Sequence, residues 1–168
     1  VRSPDMAEYI NTKGRNPKYL RSVKLDTNRL KASSDVQELV AANDTILLVT
    51  PSAFVSDILD QLTNEQLAGK KIISAIKGVE PKSLKIVGEY LIEHKGVNES
   101  DFGVITGPCH AEEVAQEKLS YLTFASTNAV FCEKMCAALD CGYIKVTPSA
   151  DIYGTEISAV LKNVYAIA

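Results

Sequence analysis

Two lysines and one turn carry the chemistry that the 168-residue sequence offers. Lys162 lies in the run "TEISAVLKNVYAIA", whose period is helical. At roughly 100° per residue, Thr155, Ser158, Ala159 and Ala166 fall within about 60° of it, while Ile157, Val160, Leu161 and Val164 point elsewhere. Its own face is small and uncharged. A solvated face would carry more charges at three- and four-residue spacing. Two readings stay open: a lysine left exposed by the loss of a neighbouring element, or an ammonium against which a substrate presses. A partly desolvated lysine has its charged form disfavoured, which suits general acid or base work near neutral pH. Asn163 beside it is placed to orient a hydroxyl or the lysine.

Lys77 directly follows the apolar run "KIISAI", and Gly78, lacking a Cβ, lets backbone approach closely. There a cation can neutralise a phosphate or simply snorkel to water. In "TGPCHAEE", Gly107 and Pro108 make a sharp turn after "FGVIT", and Glu112 and Glu113 suit the first turn of the helix they open. Free N–H groups at such a turn would suit an anion or a carboxamide.

These residues need elements to position them. Short β-branched runs recur, each followed by a segment of helical period: "TILLVT" (45–50) before Pro51 and "SAFVSDILDQL", then "KIISAI" (71–76), and then "FGVIT" (102–106). Pro81 opens "KSLKIVGEYLIEH", where Leu84, Val87 and Leu91 are spaced for one buried stripe. "YLTFAS" and "YIKVT" flank a helix from about Asn128 to Leu139. This alternation predicts an α/β fold with a mostly parallel sheet covered on both faces. "RLKAS" (29–33) is read as a further short strand, and 11–28 as an irregular surface excursion. Ligands of such a sheet bind beyond the carboxyl ends of its strands. That rule selects Thr50-Pro51-Ser52, Lys77-Gly78-Val79 and the turn from Thr106 to Ala111.

Composition narrows the classes. With 46% hydrophobic and 23% charged residues the chain suits a soluble globular domain, and its net charge of −3 argues against a nucleic-acid surface. No apolar run approaches the roughly 18 residues of a membrane span, and the first ten residues carry no signal-peptide core, so a cytoplasmic location is expected. Cys132, Cys136 and Cys141 lack metal-site spacing and are expected as free or buried thiols. An adjacent Cys109–His110 pair without further ligands is a poor metal site.

The ordered set "RNPKYL…VKL", "VTPSAF", "SAIKGVEP", "TGPCHAEEVA" and "YGTEISAVLKNVYAIA" resembles bacterial-type NAD(P)-dependent glycerol-3-phosphate dehydrogenases, through nearly the whole chain. The resemblance implies a Rossmann-like, doubly wound, mostly parallel sheet and hydride exchange between NAD or NADP and dihydroxyacetone phosphate or sn-glycerol 3-phosphate, feeding glycerophospholipid synthesis. By it, Lys162 is the catalytic acid/base, and Lys77, Gly107, Cys109, Lys162 and Asn163 bind substrate. Arg2, the turn at Pro51, Phe54, Lys77 and Ala111 bind cofactor, with Arg2 near the adenosine 2′-phosphate of NADP. Residues 1–150 would be a partial cofactor domain and 151–168 the start of a helical substrate domain. The expected partners are a small phosphorylated substrate and a second copy in a homodimer, with no nucleic acid and no metal.

Cys109 and His110 replace the family's usual Ser and Phe, which leaves a weak thiol donor at that position. None of the nine glycines forms a GxGxxG turn. That turn and the first strand are expected upstream of Val1, and the helical domain beyond Ala168, so the chain alone is expected to be inactive. The alternatives are another dehydrogenase of the 3-hydroxyacid or 6-phosphogluconate type, or a non-catalytic nucleotide-sensing module.

Overall fold

The computed structural model describes residues 1–165 and 167, without the side chains of Asn163 and Val164. Five strands, β1 (Thr45–Leu48), β2 (Lys71–Ser74), β3 (Phe102–Thr106), β4 (Ser120–Ala125) and β5 (Ile144–Ser149), form one sheet in sequence order. All neighbours pair in parallel except β3 and β4. The connection between those two carries only the single-turn helix α6, Ala111–Val114. It is too short to return the chain along the sheet, so β4 runs back antiparallel.

The other helices are α1 (Pro4–Lys13), α2 (Val36–Ala41), α3 (Val55–Leu59), α4 (Asn64–Leu67), α5 (Val87–Lys95), α7 (Ala129–Leu139) and α8 (Ile152–Tyr165). Because side chains alternate across a strand, Ile72, Phe102 and Val104 face one side and Ile73 and Phe124 the other. The first set packs with Val55, Leu59, Val87, Leu91 and Ile152. The second packs with Phe131 and Cys132 of α7, where Phe124 and Phe131 meet edge to face. The sheet is therefore covered on both sides around β2 and β3, as the apolar runs predict, while Leu47 of β1 stands 52% exposed. Among the described residues no helix is long and apolar enough to cross a membrane.

Three expectations are corrected. Arg29–Ser33 is not a strand. The Ala32 N–H and C=O are taken by the Asn11 side chain at 2.7 and 2.9 Å, and the Ser33 C=O by the amino terminus, so no ladder partner is available to them. The irregular excursion starts later than Asn11, because α1 runs to Lys13 and ends at Gly14 in the left-handed conformation. The sequence does mark α1: Ser3 accepts the Met6 N–H, and Pro4 occupies the first turn, where its missing N–H costs nothing.

Leu84, third, is not part of a buried stripe. It is 74% exposed with φ +58, inside a tight loop closed by Glu80 N–H to Lys85 C=O at 2.8 Å. The Glu80 carboxylate captures the N–H groups of Lys82 and Ser83, which favours a turn over a helix, so α5 begins only at Val87.

Candidate active site

Lys77, Gly107 and Lys162, 85 residues apart at the extremes, line one cavity of about 290 Å³ with Thr106, Pro108, Ser158 and Ala159. Lys77 follows β2, Gly107 follows β3, and Lys162 sits on α8, which packs across β3 and β4. The predicted small face of α8 is confirmed in part: Ser158 and Ala159 line the cavity beside Lys162, with Ser158 donating to the Thr155 C=O at 2.9 Å. Ala166, assigned to that face, lies outside the described residues, as does the Asn163 side chain. Lys162 is exposed, so the expected partial desolvation is not supplied by this chain. Two cations and no carboxylate among the described lining residues make the cavity suited to a small anion such as a phosphate ester.

Two glycines are fixed by contact. A Cβ at Gly107 would collide with the Tyr121 carbonyl and approach Leu122 Cα to 3.0 Å, so the turn lies directly on β4. A Cβ at Gly78 would run into Ser52, which holds the loops after β1 and β2 in contact. The expectation of free N–H groups at the Gly107 turn is reduced, because the Cys109 N–H bonds the Gly107 C=O at 3.0 Å. Cys109 is half-buried and Ala111, at the start of α6, is exposed; neither lines the cavity. The four cysteines are free thiols, and no metal-binding cluster occurs among the described residues.

A larger open cleft of about 1190 Å³ runs along the edge of β1 and is lined by Arg2, Asn16, Thr50, Pro51 and Phe54 among others. The Arg2 guanidinium stands 5.7 Å from the centroid of the Phe54 ring, which is 48% exposed. Thr50 Oγ1 is buried without a hydrogen-bond partner. An exposed aromatic and a cation on one cleft wall fit a ligand with a flat ring and phosphates. Lys77 and Ala111 are not on this cleft.

Sequence reasoning passed over Glu80 and Glu156, while Thr50 is selected only as part of the junction after the first apolar run. Glu80 and Glu156 are fully buried. Burial pushes the Glu156 carboxyl up to about 7, against the opposing pull of the Gly88 and Val87 N–H groups. Its sequence mark was available: at helical spacing it shares a face with Ile152 and Ala159, both buried.

A mostly parallel α/β sheet with an open cleft along β1 and a cationic cavity beyond the carboxyl ends of β2 and β3 defines a Rossmann-like α/β protein. The chain belongs to the NAD-dependent glycerol-3-phosphate dehydrogenase family, whose N-terminus model matches residues 1–132. It is 34% identical over 167 residues to the glycerol-3-phosphate dehydrogenase [NAD(P)+] of Pseudomonas fluorescens, covering 99% of this chain and 48% of that one. The glycerol-3-phosphate dehydrogenase of Coxiella burnetii superposes with a TM-score of 0.88 at 25% identity, over 99% of this chain and 50% of that one. The yeast glycerol-3-phosphate dehydrogenase superposes at 0.83 with 31% identity, over 96% and 48%. The chain spans about half the length of the curated relatives it matches.

Proposed function

We propose that these residues form the cofactor-binding part, and the first helix of the substrate part, of an enzyme interconverting dihydroxyacetone phosphate and sn-glycerol 3-phosphate with NAD or NADP. The convergence of Lys77, Gly107 and Lys162 on one cavity carries this reading. The nicotinamide cofactor supplies the hydride to the ketone carbon when bound. Lys162, reaching the cavity from α8, polarises the ketone oxygen and gives it a proton as negative charge develops there. Lys77 neutralises the phosphate, and the Gly107 turn and Asn163 orient the substrate, with the Cys109 N–H holding the turn through the Gly107 C=O and its thiol left as a weak donor beside the substrate.

On the cofactor side, Pro51 and Phe54 present the cleft wall, Arg2 meets a 2′-phosphate, and Ala111 and Lys77 stand near the nicotinamide end. Residues 1–150 belong to the cofactor domain as a part of it, and 151–168 open the substrate domain. This division is supported by α8 starting at Ile152 and by its exposed Tyr153, Ile157 and Leu161, a stripe ready to pack against further helices. The protein acts in the cytoplasm as a homodimer, supplies glycerophospholipid synthesis and binds no nucleic acid.

The test is spectrophotometric. The full-length gene product is mixed with NADPH or NADH, with and without dihydroxyacetone phosphate. Loss of absorbance only with the ketone supports the assignment and ranks the cofactors; a folded protein that binds NADPH and consumes neither cofactor refutes it.

A further inference from the structure

The loop after β2 is held by a carboxylate that the proposed chemistry does not use. Glu80 lies three residues beyond Lys77 and is fully buried. Its Oε1 accepts the Lys82 N–H at 3.1 Å and the Ser56 hydroxyl, and its Oε2 accepts the Ser83 N–H at 2.6 Å and the Ser83 hydroxyl at 2.7 Å. Burial, the largest single influence, favours the neutral acid. Together the hydrogen bonds from Ser56, Ser83 and Lys82 outweigh it and hold the carboxyl at about 2, so it is ionised throughout the physiological range.

Three of these donors belong to the turn itself, but Ser56 belongs to α3, 24 residues earlier, and is buried. Four residues before Ser56, Ser52 packs against Gly78, where a Cβ would come within 2.7 Å of the serine Cβ. The segment Gly78–Glu80 is therefore fastened to the segment Ser52–Ser56 at both ends. Phe54, on the wall of the large cleft, lies midway between the two fastenings.

We propose, resting on the dehydrogenase reading above, that Glu80 is a positioning residue that sets Lys77 on the substrate cavity against Phe54 on the cofactor cleft. Hydride transfer requires the two reactants in near contact, and a displacement of about 1 Å can cost about 10²-fold in rate. A carboxylate is required for this and a carboxamide does not serve. Whichever way a glutamine is turned, its NH2 group faces a backbone N–H, of Lys82 or of Ser83, that cannot reverse.

The test compares Ser56→Ala, Glu80→Gln and Lys77→Ala, and the double variant Ser56→Ala/Lys77→Ala, in the full-length enzyme at a temperature where each is folded. Ser56→Ala cuts the link to α3 and keeps the turn's own bonds, so it answers even if Glu80→Gln fails to fold. The expected result is a fall of ten- to a hundredfold in kcat/KM for Ser56→Ala, shrinking to less than about twofold when Lys77 is already alanine. Amide hydrogen exchange should quicken at 51–56 and at 77–83 together. Unchanged kcat/KM, or effects of Ser56→Ala and Lys77→Ala that simply multiply, overturns the proposal. Faster exchange confined to one of the two segments does so as well, and this readout needs no turnover. An inactive wild-type enzyme is a separate result: it removes the dehydrogenase reading, and exchange alone then decides whether Glu80 couples the loops.

Discussion

Glu156 of α8 is buried against the amino end of α5, where the Gly88 N–H lies 3.2 Å from one carboxylate oxygen and 3.1 Å from the other. Gly88 permits this approach: a Cβ there would stand 2.8 Å from Glu156 Oε2 and 2.6 Å from the Phe102 ring. The contact fixes α8, and with it Lys162 six residues further on, over the carboxyl edge of the sheet.

The buried carboxyl makes stability depend on pH. Burial raises Glu156 from an ordinary 4.5 to about 7, with Glu89 adding to the rise. Between these values the folded protein keeps the proton and the unfolded chain loses it, so stability falls as pH rises from about 4.5 to 7 and then levels. The drop is on the order of 3 kcal/mol. Urea unfolding across pH 5 to 8 should show it, and Glu156→Gln, which retains an acceptor for Gly88, should flatten the slope.

Gly88→Ala should destabilise by about 1–3 kcal/mol, because both Phe102 and Glu156 occupy the space the new methyl needs. Gly142→Ala is the control. Nothing lies within 4 Å of its Cβ position, and its change in urea midpoint should be worth less than about 0.5 kcal/mol.

Phe124 is fully buried and meets Phe131 at 5.5 Å between ring centroids. Phe124→Ala should cost about 3–5 kcal/mol in chemical unfolding.

Lys162→Ala should leave stability within about 0.5 kcal/mol, since the side chain is exposed. In the full-length enzyme it should lower kcat about 10²-fold or more through loss of the proton donor. A kcat close to wild type would remove Lys162 from the chemistry.

Arg2→Ala should raise KM for NADPH while leaving KM for NADH near its original value, because only NADPH offers a 2′-phosphate to the guanidinium beside Phe54. Steady-state kinetics with each cofactor decides it.

The sequence by itself determined what is local. Apolar β-branched runs ending at Pro51, Lys77-Gly78 and Gly107-Pro108 place the strands and the loops at their carboxyl ends, and the period of 155–162 puts Ser158 and Ala159 beside Lys162. Chain-adjacent chemistry dictates these features: strand alternation, helical spacing and the turn habits of glycine and proline. The tertiary structure decided which distant groups meet. Leu84 reads as helical by spacing, yet Glu80 takes the N–H groups that a helix would use and leaves it exposed. Glu80 finds Ser56 across 24 residues and Glu156 finds Gly88 across 68, and neither carboxylate carries a mark in its own neighbourhood that names its partner. A buried carboxyl is tolerated where donors converge on its charge, as at Glu80, or where it keeps its proton, as at Glu156, and either setting exists only once the chain has folded.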